Sequence, residues 1–228
     1  MPCRYPPFVS RSRTLPWLLL ALLRVVPAAG WAGWSEGFGA PGTNGEVRCF
    51  AEFDGDLVAG GAFSIAGDAF CRNVAAWDGA AWRSLGEGLA YPTSCMIVWD
   101  GQLLAGQNVQ VGNSWRSSLA GWDGAQWRAW AGEFNGRILT LAIHGGEMYA
   151  AGEFTAVDYV SAARLARWDG AQWQPCGDGI GDGAVAALAT YGGQLVAGGS
   201  FTQAGGVAAR DVARWNGAAW GAVGGGVE

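Results

Sequence analysis

The residues that could do chemistry in this sequence are few. Histidine occurs once, at His144, directly before Gly145 and Gly146, where a turn residue is expected. Lysine is absent, because all fourteen basic residues are arginines, and neither a Gly-x-Ser-x-Gly nor a Gly-Lys-Ser/Thr motif occurs. Serine-hydrolase, Schiff-base and phosphate-loop nucleotide chemistry therefore lack their usual residues.

Paired carboxylates could still act as the acid and base of a glycosidase without any histidine. Glu133, Glu153 and Asp158 are the candidates, since they lie near predicted strand ends and loops. The sequence does not set the distances between them. A carbohydrate-active enzyme that uses these carboxylates is therefore an alternative hypothesis.

The other acidic residues are better explained by turns. Five aspartates each precede a glycine, and Asp-Gly is typical of a tight turn; they are Asp54, Asp78, Asp100, Asp123 and Asp169. Asp178 and Asp182, within Gly177 to Gly183, offer oxygen ligands of the kind that calcium prefers. Two carboxylates are too few for a calcium loop. The sequence therefore predicts no catalytic, metal-binding or cofactor-binding residue.

The strongest regularity is Trp-(Asp/Asn)-Gly, which recurs at intervals of 45, 46 and 47 residues. Each copy has a second tryptophan five positions later, giving Trp77/Trp82, Trp122/Trp127, Trp168/Trp173 and Trp215/Trp220. Between these pairs lie two apolar runs joined by Asp-Gly or Gly-Gly, a strong signal for a hairpin turn. Four strands in about 45 residues are typical of one propeller blade.

The sequence thus predicts an all-β protein, a β-propeller of four blades at about 47–90, 91–136, 137–182 and 183–228. The tryptophan pairs are expected between the sheets, because a single blade cannot bury both of its faces. Residues 31–46 are predicted to be a partial repeat, with Trp34 to Gly39 as a fourth strand. Two arrangements stay open: a closed four-bladed ring, or part of a longer propeller with further blades beyond Glu228.

The repeat resembles a kelch repeat, with apolar residues, a glycine pair and two spaced aromatic residues. It is more similar to the variant found in bacterial secreted propellers and in the fungal cortical polarity-marker family. Leu195 to Gly206 and Val212 to Trp220 follow that variant closely, whereas the second unit has Gln107 after Gly106. The resemblance covers about residues 34–228 and implies a secreted or surface-exposed propeller used for binding or as a scaffold.

The start of the chain predicts export. Residues 1–30 contain arginines, the apolar run Leu15 to Leu23 and a small-residue segment before Gly30, which is typical of a signal peptide. That run is too short to span a membrane. Removal of the segment would change the net charge from −5 to −9, since ten arginines and nineteen acidic residues remain. An acidic protein is not expected to bind nucleic acid.

Four cysteines remain in the predicted mature chain, at Cys49, Cys71, Cys95 and Cys176. They could form two disulfides, which export would permit, or they could be buried free thiols. Their spacing matches no zinc pattern and does not define a disulfide connectivity.

We therefore expect a secreted or cell-surface β-propeller that binds a protein or glycan, or acts as a scaffold, without catalysis. A purely structural segment of a longer surface protein is a third hypothesis. Thr155 to Ala163 and Gln110 to Ser118 differ most between the repeats, so these loops are the predicted partner-specific surface. Tyr159 and Trp115 are its predicted contact residues.

Overall fold

The computed structural model describes residues 42–224, and every regular element in that range is a β-strand. The all-β class is thus confirmed. The predicted signal peptide and the predicted strand at Trp34 to Gly39 lie outside the described residues. Within the described range, no helix is long and apolar enough to cross a membrane.

Each repeat contributes its strands in chain order. The first contains β1 (Glu46–Phe53), β2 (Asp56–Ala62), β3 (Ile65–Ala66), β4 (Ala69–Phe70), β5 (Val74–Trp77) and β6 (Trp82–Ser84). The second contains β7 (Thr93–Trp99), β8 (Gln102–Val111), β9 (Ser114–Trp122) and β10 (Trp127–Phe134). The third contains β11 (Ile138–His144), β12 (Glu147–Gly152), β13 (Ala156–Val157), β14 (Val160–Ser161), β15 (Leu165–Trp168) and β16 (Trp173–Pro175). The fourth contains β17 (Ala184–Tyr191), β18 (Gln194–Ser200), β19 (Gln203–Ala204), β20 (Val207–Ala208), β21 (Val212–Trp215) and β22 (Trp220–Ala222).

The strands form four main antiparallel sheets, one for each repeat. The strand orders are β1-β2-β5-β6, β7-β8-β9-β10, β11-β12-β15-β16 and β17-β18-β21-β22, and the second sheet is extended beyond β10 by β13 and β14. We call them the first to fourth sheets. The pairs β3-β4 and β19-β20 form separate two-stranded hairpins.

The predicted turns are present. Asp54 and Gly55 both have positive φ, at 52° and 84°, as a tight hairpin turn between β1 and β2 requires. Asp169 Oδ1 accepts hydrogen bonds from the backbone N–H groups of Ala171 and Gln172, both at 2.9 Å. Asp78, Asp123 and Asn216 make the equivalent pair of bonds in the other three sheets. These side chains hold the turn between each tryptophan pair.

Consecutive sheets pack face to face, with β1, β7, β11 and β17 adjoining in that order. Three apolar clusters fill the three junctions, and a fourth lies beneath the β3-β4 hairpin. Each cluster includes one cysteine: Cys49 between the first and second sheets, Cys95 between the second and third, Cys176 between the third and fourth, and Cys71 beneath the hairpin. All four are free thiols.

The second, third and fourth tryptophan pairs join the sheets as predicted. Within residues 42–224 the first pair meets no preceding sheet, and Trp82 packs against the apolar cluster beneath the β3-β4 hairpin. The indole N–H of the later tryptophan in a pair donates to a backbone carbonyl of the preceding sheet or of the connection that follows it. These bonds are Trp127 to Leu85 at 3.1 Å, Trp173 to Ala131 at 3.3 Å and Trp220 to Cys176 at 3.0 Å. Trp130 adds a ring from the second sheet, 4.8 Å from the ring centre of Trp168. The aromatic columns of the repeat are thus part of the packing between sheets.

Candidate functional site

The four sheets share a common orientation. We call the end where the second and third strands of each sheet connect the loop end, and the opposite end the turn end. Hydrogen bonds at the loop end join successive repeats: Asn108 Nδ2 to Ile138 O at 3.0 Å and Arg164 Nε to Gly183 O at 2.7 Å. Asn73 Nδ2 donates to Leu89 O at 2.9 Å, on the connection that leads from the first repeat to the second. At the turn end, His144 Nδ1 lies 3.2 Å from Thr190 Oγ1.

Exposed apolar side chains concentrate at the loop end. They are Ile65, Phe70, Tyr91, Val111, Trp115, Tyr159, Val160 and Val207. Single exposed apolar residues are ordinary on a protein surface, but several at one end of a sheet array indicate a contact surface. We therefore take the loop end as the candidate functional site.

The two predicted contact segments meet in one sheet. β8 and β9 continue as a ladder to the pair Val111 and Ser114, so Gln110 to Ser118 forms the tip of a long hairpin. β13 lies in the third repeat but pairs with β10 through Phe134 and Val157, and Phe134 also pairs with Ser117. The loops predicted from repeat variation are therefore brought together at the edge of the second sheet.

A stacked arginine lies beside the long hairpin. The guanidinium carbon of Arg137 is 5.2 Å from the ring centre of Trp115, a cation–π distance. Arg137 Nε donates to Glu153 Oε2 at 2.7 Å, and this hydrogen bond raises the pKa of Arg137. Glu153 thus holds the guanidinium plane against the indole, and the exposed side of Trp115 is presented on a fixed platform.

Tyr159 lies at the tip of the β13-β14 hairpin and is fully exposed. Its φ is +66°, and that of Asp158 is +47°, so both residues of the turn are left-handed. A bulky side chain rarely adopts this conformation. The aligned positions in the fourth repeat are Gly205 and Gly206, which adopt it without strain. The third repeat thus keeps an aromatic residue at a position that favours glycine, and the hairpin holds that residue away from the sheets.

A side-chain anchor fixes the small hairpins, and the sequence analysis missed it. Asn135 Oδ1 accepts hydrogen bonds from the backbone N–H groups of Thr155 and Ala156, at 2.8 and 2.9 Å. Asn44 holds the first-repeat hairpin and Asp182 the fourth-repeat hairpin in the same way. The signal in the sequence was an Asn or Asp at one aligned position, where the second repeat has Ala90.

The second repeat has a buried polar network in place of the small hairpin. Asn108 Nδ2 donates to Ile138 O, and Asn108 Oδ1 accepts from Ile138 N at 3.1 Å. Ser117 Oγ lies 2.5 Å from Asn108 Oδ1 and 2.8 Å from Gly136 O. Asn108 and Ser117 are both buried. This network ties the base of the long hairpin to the start of the third sheet.

The structure gives each candidate carboxylate a position, and Glu133 is exposed near the end of β10. Glu153 is paired with Arg137, and Asp158 Oδ1 accepts from the Glu133 N–H at 2.8 Å, so Asp158 closes its own hairpin. Asp182 is the hairpin anchor and accepts from Thr202 Oγ1 at 2.7 Å. Among residues 42–224, no group of three or more His, Cys, Asp or Glu side chains is placed to hold a metal ion.

A cleft of about 320 Å³ opens at the turn end between the first two sheets, lined in part by Asp54, Asp100 and Asp123. A hydrogen bond from Arg128 and two backbone N–H groups lower the pKa of Asp123 to about 2. An acid of that strength is ionised at neutral pH and cannot donate a proton there.

No protein-family model matches the chain, and the comparison with curated proteins finds no match.

Proposed function

We propose that this chain is a kelch-like β-propeller protein, secreted or exposed at the cell surface, that binds a partner through its loop end and performs no catalysis. The four main antiparallel sheets, packed in chain order with adjoining first strands, support the propeller assignment. The observation that carries the function is the pair of exposed aromatic side chains at the edge of the second sheet, Trp115 and Tyr159, each held by an ordered hairpin.

The chemistry of this surface favours a protein over a glycan as partner. Tryptophan, tyrosine and arginine are enriched where protein interfaces gain most of their energy. Val111 and Val160 lie on the same two hairpins and are exposed. Aliphatic side chains gain free energy by burial against apolar protein side chains, whereas a sugar offers only a small C–H face bordered by hydroxyl groups that the valines cannot hydrogen-bond. The proposed partner is therefore a protein with an apolar contact segment.

The experiment is affinity selection of a displayed random-peptide library on the purified protein, with a glycan array in parallel. We expect enriched peptides rich in apolar residues. Trp115→Ala and Tyr159→Ser should each weaken their binding about tenfold or more, as loss of an interface anchor does. Tyr191→Ser is the matched control, because Tyr191 is also an exposed tyrosine but lies at the turn end.

Three outcomes would contradict the proposal. Peptides that bind both loop-end variants as well as the parent protein would place the binding surface elsewhere. Binding to glycans alone would replace the protein partner with a carbohydrate. Hydrolysis of a bound glycan that is lost in Glu153→Gln or Asp158→Asn would establish the carbohydrate-active enzyme instead.

A further inference from the structure

Among residues 42–224, nothing packs on the outermost faces of the sheet array. We call the face of the first sheet that points away from the second the head face: Phe50, Glu52, Leu57, Trp77 and Trp82. We call the face of the fourth sheet that points away from the third the tail face: Ala187, Ala189, Tyr191, Val196 and Arg214. Both sets follow from the repeat alignment, since the aligned residues of the inner sheets fill the junctions.

The burial of aligned residues shows what each outer face lacks. Phe50 is 59% exposed, whereas Met96 and Leu141 at the same position of the next two sheets are buried. On the tail face, Val196 is half-buried, whereas the aligned Val58 is 1% exposed. The difference arises because Met96 and Leu141 lie against a preceding sheet, and Val58 lies against a following one.

The two outer faces are the two halves of one further junction. At each internal junction, the face that a sheet turns toward its successor packs on the face that the next sheet turns toward its predecessor. The tail face is the one that the fourth sheet would turn toward a following sheet, and the head face is the one that the first sheet would turn toward a preceding sheet. A tail face brought against a head face would therefore repeat a packing arrangement that the protein already uses three times.

The polar residues of the two faces match as well. His144 and Thr190 meet across the junction between the third and fourth sheets. The residue aligned with His144 on the tail face is Tyr191, and the residue aligned with Thr190 on the head face is Glu52. A tyrosine O–H can donate to a carboxylate, so these two residues would form a hydrogen bond if the two faces were packed together. Arg214 is exposed and forms no ion pair within residues 42–224, whereas Arg167 at the aligned position is bound to Glu147. The faces thus carry opposite charges, at Arg214 and Glu52.

We propose that the occupant of each outer face is a second copy of this chain, with the tail face of one copy packed on the head face of the next. Such an interface joins two different surfaces. It therefore continues from copy to copy until a ring closes, or extends without closing. This inference concerns the flanks of the sheet array and does not depend on the ligand of the loop end.

The experiment uses two blocked variants of the full chain, measured by sedimentation velocity over a hundredfold range of concentration. Phe50→Arg blocks the head face and Ala189→Arg blocks the tail face, and both side chains are exposed in the single chain, so neither change disturbs a core. The parent protein should self-associate as its concentration rises. Each variant alone should stay monomeric, because every contact needs one intact head and one intact tail.

An equimolar mixture of the two variants should form a one-to-one dimer and no larger species. The intact tail of Phe50→Arg can bind the intact head of Ala189→Arg, and the remaining faces are blocked. Ile143→Arg, at the turn end of the third sheet and outside both outer faces, is the matched control and should associate like the parent. Circular dichroism identifies any variant that fails to fold; Glu52→Arg and Arg214→Glu then replace it as head and tail blocks.

A parent protein that stays monomeric throughout the concentration range would overturn the proposal. A mixture that remains monomeric while the parent associates would also overturn it, because the copies would then meet through other surfaces. The loop-end proposal would stand in either case, since peptide binding is measured independently.

Discussion

The second and third sheets share the same four-strand order and the same tryptophan spacing, yet they build their loop ends in different ways. The third repeat leaves its second strand at Gly152, forms the small β13-β14 hairpin and returns through β15. The second repeat continues without interruption from β8 into β9. Packing between the sheets constrains the strands and the tryptophans, whereas the connections at the loop end lie outside that packing and can diverge.

The divergence also changes what supports each loop end. Asn135 holds the small hairpin through two exposed backbone N–H groups, while Asn108 shares the two backbone groups of the buried residue Ile138 with the hydroxyls of Ser94 and Ser117. One anchor competes with water and the other does not. The same residue type should therefore contribute differently to stability in the two repeats.

The largest effect is expected at the later tryptophan of the third pair. Trp173 is 2% exposed and lies 5.3 Å from Phe134, centre to centre, so Trp173→Ala leaves a cavity. We expect the free energy of unfolding to fall by about 3–5 kcal/mol in urea denaturation. Trp127, the aligned residue of the second sheet, is only half-buried, and Trp127→Ala should cost clearly less. Equal losses would show that the two junctions are equivalent.

The buried network should be the next most sensitive. Asn108→Ala removes two buried hydrogen bonds to Ile138, whose C=O and N–H groups keep only Ser94 Oγ and Ser117 Oγ as side-chain partners, and we expect a loss of about 2 kcal/mol in the same measurement. Gln110→Ala, on the exposed part of the same strand, is the control and should change stability by less than about 0.5 kcal/mol. A neutral Asn108→Ala would mean that water replaces the asparagine.

The exposed anchor should contribute less. Asn135→Ala removes two hydrogen bonds to backbone N–H groups that water can reach, so a loss of about 1 kcal/mol is expected. Asn44→Ala should cost a similar amount, because the first repeat uses the same anchor. Ala90→Asn should gain nothing, since the second repeat has no small hairpin to hold. A stabilised Ala90→Asn would show that the aligned position acts without that hairpin.

The smallest expected effect is on how the stability of the protein responds to low pH. A hydrogen bond from Arg128, together with two backbone N–H groups of the turn, lowers the pKa of Asp123 of the second sheet to about 2. Asp169 of the third sheet has Gln174 in place of the arginine, and its pKa is lowered chiefly by backbone N–H groups. A lowered carboxyl pKa contributes stability above about pH 4, and that contribution is lost as the pH falls toward 2. Arg128→Gln should raise the pKa of Asp123, as measured by carbon NMR titration. An unchanged titration would assign the shift to the turn alone.

Much of this architecture could be predicted from the sequence, because the features that determine it recur. The Asp-Gly turns and the tryptophan pairs appear four times in fixed register, and each copy confirms the others. Trp115 and Tyr159 are predicted contact residues for the opposite reason, because their loops depart from the repeat, and their binding role stays a prediction. Both kinds of signal depend on comparison between aligned positions, which one chain with four copies allows.

The features that the sequence did not predict depend on contacts between residues that are distant in the chain. The pairing of β13 with β10 joins two repeats through one residue pair, Phe134 and Val157, and no local pattern indicates it. The stack of Arg137 on Trp115 requires residues 22 positions apart to meet across a hairpin. The candidate carboxylates were correctly placed near strand ends, but their partners, an arginine and a backbone N–H group, could not be read from their spacing.

Each apolar cluster contains one cysteine, so the reactivity of each of these four thiols reports how often its own cluster opens. Burial raises the pKa of Cys49, Cys95 and Cys176 to about 12, so these thiols are almost fully protonated at neutral pH and react slowly with alkylating reagents. A thiol becomes reactive when its own cluster opens. The order in which the four cysteines are alkylated would therefore rank the three junctions and the hairpin by how often each one separates, without any introduced label.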